Sequence, residues 1–328
     1  MRFGGGVRMM GIARGAAGRS GPWRPWMPIL AVLMVALGGC RKGGGEMASL
    51  ARVQLPDSVA AGATLAVDSL RRAWVGTPGR LTVYDSAGRE AARVAAGGQL
   101  VPRVLWMGDS AVYVRAGGNV SVIDPRTEKR AGTRQLSPVA RDPRGRWVYT
   151  AGRRGGVLGL APGTLKIRWG WPDAGAPATA IAVSPLGDRV YVALDASERN
   201  GTAPAVEVRD AQSGRPLHRW EAPAAITVLE AGPDNTLYAL VGGSVTALRH
   251  GSGGLAPLWS VAAGDEPRLR VSPTGTRVAV LSEDEGVRLL ETGSGEVVGR
   301  TDEAPRDAAF DVEGRLWVLY PREIRIMR

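Results

Sequence analysis

Apolar and polar residues alternate along most of this chain, and the alternation comes in pairs of short runs joined by a turn. "IAVSPLGDRVYVAL" (Ile181–Leu194) and "LRVSPTGTRVAVLS" (Leu269–Ser282) follow one pattern: an apolar strand, a Ser-Pro-x-Gly turn and a second apolar strand. Period-two alternation of β-branched residues on both sides of a Pro/Gly turn predicts a β-hairpin. Looser copies are "LAVDSLRRAWVG", "VLWMGDSAVYVR", "VARDPRGRWVYT", "VLEAGPDNTLYALV" and "AAFDVEGRLWVLY". Anchored on the second strand, the copies fall at Trp74, Tyr113, Tyr149, Tyr191, Tyr238, Ala279 and Trp317, at intervals of 36 to 47 residues. A repeat of about 40 residues with several strands per unit predicts the blades of a β-propeller.

The units continue alike. A third strand runs into an acidic turn in "LTVYDSAGRE", "VSVIDPRTEK", "VEVRDAQSGR" and "VRLLETGSGE". Fourth strands follow in "AARVAA", "LKIRWGW", "PLHRWEAP", "PLWSVAAG" and "EVVGRTDEAP". Asp85, Asp124, Asp210 and Glu291 are therefore expected to bond turn backbone rather than form a catalytic carboxylate ladder. Pro102, Pro138, Pro177, Pro223, Pro267 and Pro305 each stand just ahead of a first strand, where a missing N–H costs no ladder bond. The last unit stops after three strands, and "ASLARVQLP" before the first unit reads as an unattached fourth strand. The two ends are expected to complete one blade, which closes the ring and removes its open edge. The expected fold is all-β: a seven-bladed β-propeller of four-stranded blades over residues 48–328.

These repeats resemble the bacterial YVTN/WD40-like propellers, with "DRVYVALD" (Asp188–Asp195) nearest the core motif. Fourth strands with a tryptophan, at Trp169, Trp220 and Trp259, also resemble PQQ-type repeats. The resemblance implies fold rather than function, since propellers host enzymes, sensors and scaffolds alike. The three tryptophans are expected to pack between blades.

The first 40 residues depart from the strand pattern. Arg2, Arg8, Arg14, Arg19 and Arg24 occur with no acid, and then Met27–Gly39 is uncharged and mostly apolar. Thirteen residues are too few to span a bilayer, which takes about 20. A basic region, a short apolar region and small residues before a cut describe a secretory signal peptide. Leu37-Gly38-Gly39-Cys40 resembles the lipobox of bacterial lipoproteins, whose cysteine becomes the lipidated first residue of the mature chain. That resemblance implies a signal peptide over 1–39, a lipid anchor at Cys40 and a flexible tether over 40–47. No aspartate follows Cys40, which by the same resemblance favours the outer membrane of a two-membrane cell.

Charge and composition narrow the function classes. The formal charge of +11 falls to +6 without residues 1–39, and all but three of the 42 basic residues are arginine. No arginine block, helix-turn-helix or RNA-binding aromatic motif accompanies them, so no nucleic-acid partner is expected. A single cysteine allows no intrachain disulfide or multi-cysteine metal site. The only histidines, His218 and His250, fall in or beside outer strands and are expected at the surface. "SEDEG" (Ser282–Gly286) lacks the alternating ligand spacing of calcium loops and is expected to be a solvated turn. No catalytic residues, cofactor or metal are expected.

One arrangement suggests a site. Three units open with Pro-Arg, at Arg103, Arg268 and Arg306. Equivalent places on three blades would set three guanidinium groups around one channel mouth, where arginine forks bind carboxylates or phosphates. The insertion Asp195–Ala205 lengthens one loop and could serve binding. The expected role is a monomeric, extracytoplasmic binding scaffold for an envelope protein. The competing classes are a lactonase-like or other hydrolase and a small-anion sensor.

Overall fold

The computed structural model describes residues 44–328 apart from 97, 108–110, 125, 126, 128, 153 and 197–200. The expected signal peptide over 1–39, Cys40 and the basic pair Arg41-Lys42 lie outside the described residues. Each two-strand pattern becomes the inner half of a four-stranded antiparallel sheet. There are seven such sheets, the sixth with a short fifth strand at its edge: 64–95, 103–135, 139–170, 178–221, 226–262, 268–301, and a last one of 307–327 completed by Ser49–Gln54. They are blades 1 to 7. The first strands of successive blades meet around the ring, and Asp307–Phe310 of blade 7 lies against Thr64–Val67 of blade 1. Ser49–Gln54 pairs antiparallel with Glu323–Met327, so the two ends of the propeller share blade 7 as the sequence predicts.

The second strand of each blade reads as a near-continuous apolar run because both of its faces are buried. In Thr236–Val241, Leu237, Ala239 and Val241 pack toward blade 4, and Tyr238 and Leu240 pack toward blade 6. In Leu316–Leu319, Trp317 and Leu319 face blade 1 while Leu316 and Val318 face blade 6. Seven apolar clusters result, one at every blade-to-blade join. The core is thus a ring of seams.

Lettering the strands of each blade A to D from the centre outward, two of the A–B turns are tied by their own aspartates. Asp68 and Asp311, both buried, accept the backbone N–H two and four residues on, an arginine Nε, and an indole N–H from Trp74 and Trp317 at 3.0 Å. Outer tryptophans dock on the next blade. The Trp259 ring lies over Gly295, which has φ +73°, and its Nε1 donates to Thr292 O at 2.8 Å. A Cβ at Gly295 would sit 2.7 Å from that ring, so both the turn and the ring require glycine there.

The structure corrects the tether. Gly45–Glu46 pairs parallel with Val297–Thr301 on the outer edge of blade 6. Met47 follows and is buried between blades 6 and 7. A Gly-rich segment reads as a linker, yet backbone pairing needs no side chain, and a single methionine suffices to fasten it.

Candidate functional site

The first strands line the centre of the ring, and charges interrupt their apolar pattern. Glu230 of blade 5 accepts the Val271 N–H of blade 6 at 3.1 Å. Arg270 of blade 6 donates Nε to Ala308 O at 3.0 Å and Nη2 to Asp307 Oδ1 at 2.8 Å, both in blade 7. Asp307, only 1% exposed, accepts the Leu65 N–H of blade 1 at 3.0 Å. Thr64 of blade 1 donates Oγ1 to Pro102 O of blade 2 at 2.6 Å. These side-chain bonds to neighbouring backbone run through five consecutive blades. They satisfy inner-strand groups that have no ladder partner on the channel side.

The three predicted arginines stand at the entries to first strands. Arg103 and Arg268 are the first residues of Arg103–Met107 and Arg268–Val271, and Arg306 stands just before Asp307–Phe310. Their surroundings differ. Arg268 Nη1 donates to Arg306 O at 2.7 Å and lies 3.6 Å from Asp307 Oδ1, so it fastens blade 6 to blade 7. The Nε of Arg306 is buried and unpartnered among the described residues. Arg103, on blade 2, lies within electrostatic reach of Arg270, Asp307 and Glu230 on blades 5 to 7. The charge of Arg270, with burial, lowers its pKa to about 10. Burial pushes the Glu230 carboxyl up, against the opposing pull of Arg270 and Arg103.

Glu230, Arg270 and Asp307 escaped sequence reasoning. Their signal was a charge inside a short apolar first strand: "ITVLEA", "RLRV" and "DAAF". A charge on such a strand is costly unless a polar partner meets it, and here each partner lies on the next blade.

Other expectations resolve locally. Asp85, Asp210 and Glu291 each bond backbone or serine groups of their own turns, which hold all three carboxyls below their ordinary range. Trp169 stacks on Trp171 with ring centroids 4.7 Å apart and packs in the seam between blades 3 and 4, while Trp220 packs between blades 4 and 5. In "SEDEG", Ser282 bonds the Asp284 side chain, and Asp284 accepts the Asp265 N–H at 3.3 Å.

His218 and His250 are half-buried rather than open to solvent. They meet edge to face across the blade 4–5 boundary with centroids 5.7 Å apart, and Tyr191 Oη lies 3.5 Å from His250 Nδ1. Burial, with Arg189 and His218, lowers the His250 pKa, and Asp188 opposes this. His250 therefore stays neutral to a lower pH in the folded chain than in the unfolded one, which takes up its proton near pH 6.5. Folding stability from this group is present above that pH and lost below it. The melting temperature is expected to fall from pH 7 to pH 5 less steeply in His250→Gln than in the parent. Equal slopes in a thermal-melt series would exclude a contribution from His250.

No family model and no curated protein matches the sequence. Among solved structures, a chain in one titled "Crystal Structure of Mitotic Checkpoint Complex" aligns over 96% of this chain and 98% of its own, with TM-score 0.64 and 15% identity. At that identity the likeness is one of fold alone.

Proposed function

We propose that this chain is a lipid-anchored, extracytoplasmic propeller that acts as a non-catalytic binding scaffold for an envelope protein. The observation that carries the reading is the closed ring, a rigid frame presenting two sets of loops. One face carries the B–C turns and the loops entering the first strands, including exposed Leu100. The other carries the A–B turns, where Leu70, Leu186 and Val312 are exposed at three turn tips. Loops held out on a rigid scaffold suit a protein partner. The solved chain of similar fold belongs to a complex, which accords with such a role. The lipobox-like Leu37-Gly38-Gly39-Cys40 supports the anchor. Several acyl chains on one residue hold firmly, because each buried CH₂ contributes about 0.8 kcal/mol.

The test is photo-crosslinking in cells from Leu100 on one face and Leu186 on the other, in the parent and in Cys40→Ser. One dominant protein captured from one face is expected, with Cys40→Ser accumulating as an uncleaved precursor. No partner from either face would overturn the scaffold. Normal processing of Cys40→Ser would overturn the anchor.

A further inference from the structure

The side-chain bonds from Glu230 through Thr64 leave one part of the channel unbalanced. Arg103 pairs directly with Arg115 in the ladder of blade 2, so two guanidinium groups leave the same face of one sheet side by side. Like charges directly opposite each other on a sheet repel. Arg270 adds a third positive charge from across the channel. The nearby carboxylates have other work. Asp307 holds Leu65 N and Arg270, and Glu230 holds Val271 N. Among the described residues, Arg103 and Arg115 make no side-chain hydrogen bond or ion pair with the protein. Both are partly exposed.

We propose that the guanidinium groups of Arg103 and Arg115 bind a small free oxyanion, a carboxylate or a phosphate, at the channel mouth of blade 2. A planar fork offers two parallel N–H donors to two oxygens of one anion, and two adjacent forks enclose it. The two residues sit at the start of the first strand of blade 2 and on the strand beside it, within one ladder pair, a span that suits a small anion better than a folded surface. It needs neither the lipid nor a protein partner, so it stands or falls apart from the scaffold role.

The experiment is a thermal-shift titration of the purified full chain with sodium phosphate and, separately, sodium succinate, each against sodium chloride at equal ionic strength. One of the two oxyanions is expected to raise the melting temperature along a saturating curve, by about 4 °C when in large excess over its dissociation constant. Arg103→Gln and Arg115→Gln should each flatten that curve, and Arg103→Lys should retain part of it, since a point charge keeps attraction but loses the fork. Without anion, Arg103→Gln should melt about 2 °C above the parent because the repulsion is gone. Flat curves with both oxyanions would overturn the site. So would equal saturating curves in the parent and both glutamine variants, or an anion-free Arg103→Gln that melts below the parent. If Arg103→Gln fails to fold, the repulsion reading fails, and Arg115→Gln alone decides the binding.

Discussion

A chain lacking residues 44–55 is expected to lose its cooperative melting transition. The deletion removes the fourth strand of blade 7 and three buried apolar anchors: Met47, Val53 and Leu55. Each such side chain contributes roughly 1.5–3 kcal/mol on burial. Together they approach the whole net stability of a typical domain, about 5–15 kcal/mol. The loss is also topological. Without Ser49–Gln54, the strand Glu323–Met327 becomes an unpaired edge, and the seam holding Trp317, Leu319 and Ile324 opens to water. An exposed edge is a template for aggregation. A synthetic peptide of residues 44–56 added in trans should restore the transition in proportion to its concentration. A sharp transition near the parent temperature in the deleted chain would show that the ring does not depend on this closure.

Closure was legible because it depends on repeat phase. Three strands at one end and one at the other is a count, and the apolar positions Leu50, Val53 and Leu55 match the outer strands of other units. The fourth strand of blade 2, Arg130–Gln135, was not legible. "RAGTRQ" has no apolar alternation, and nearly all of it is exposed. Its ladder to Asn119–Ile123 holds it, with Leu136 buried just beyond it. Gly45–Glu46 was hidden for the same reason, since main-chain pairing leaves no side-chain signature. The candidate site was half legible. Pro-Arg spacing marked Arg103, Arg268 and Arg306 at the entries to first strands, but place along a strand does not determine partners. Arg268 spends its guanidinium on a carbonyl and a carboxylate of the next blade, whereas Arg103 faces another cation. The partners come from blades 5, 6 and 7, more than a hundred residues away in sequence from Arg103. Local pattern holds no information on such pairing.

Asp307→Ala is expected to be among the most damaging single substitutions outside the apolar seams. The carboxylate is 1% exposed and joins three blades: Leu65 N–H from blade 1, Arg270 Nη2 from blade 6, and its own strand in blade 7. Alanine leaves the Leu65 N–H without an acceptor and Arg270 with only its carbonyl partners. Removing one member of a buried charge pair costs about 3–5 kcal/mol, because the other charge stays behind. The lower figure applies, since the Arg270 side chain keeps 15% of its exposure and Arg268 keeps 30%, so water can reach both. A loss of about 3 kcal/mol lowers the melting temperature by roughly 6 °C or more in a domain of this size. Asp307→Asn should cost less, because an amide oxygen still accepts from Leu65 while the charge is lost. The double variant Asp307→Ala with Arg270→Leu should recover part of the loss, since it removes the stranded cation as well as its partner. Thermal melts of the four chains form a double-mutant cycle. If the two single losses simply add, Arg270 and Asp307 do not stabilise the ring as a pair, and their bonds to neighbouring backbone would have to act independently.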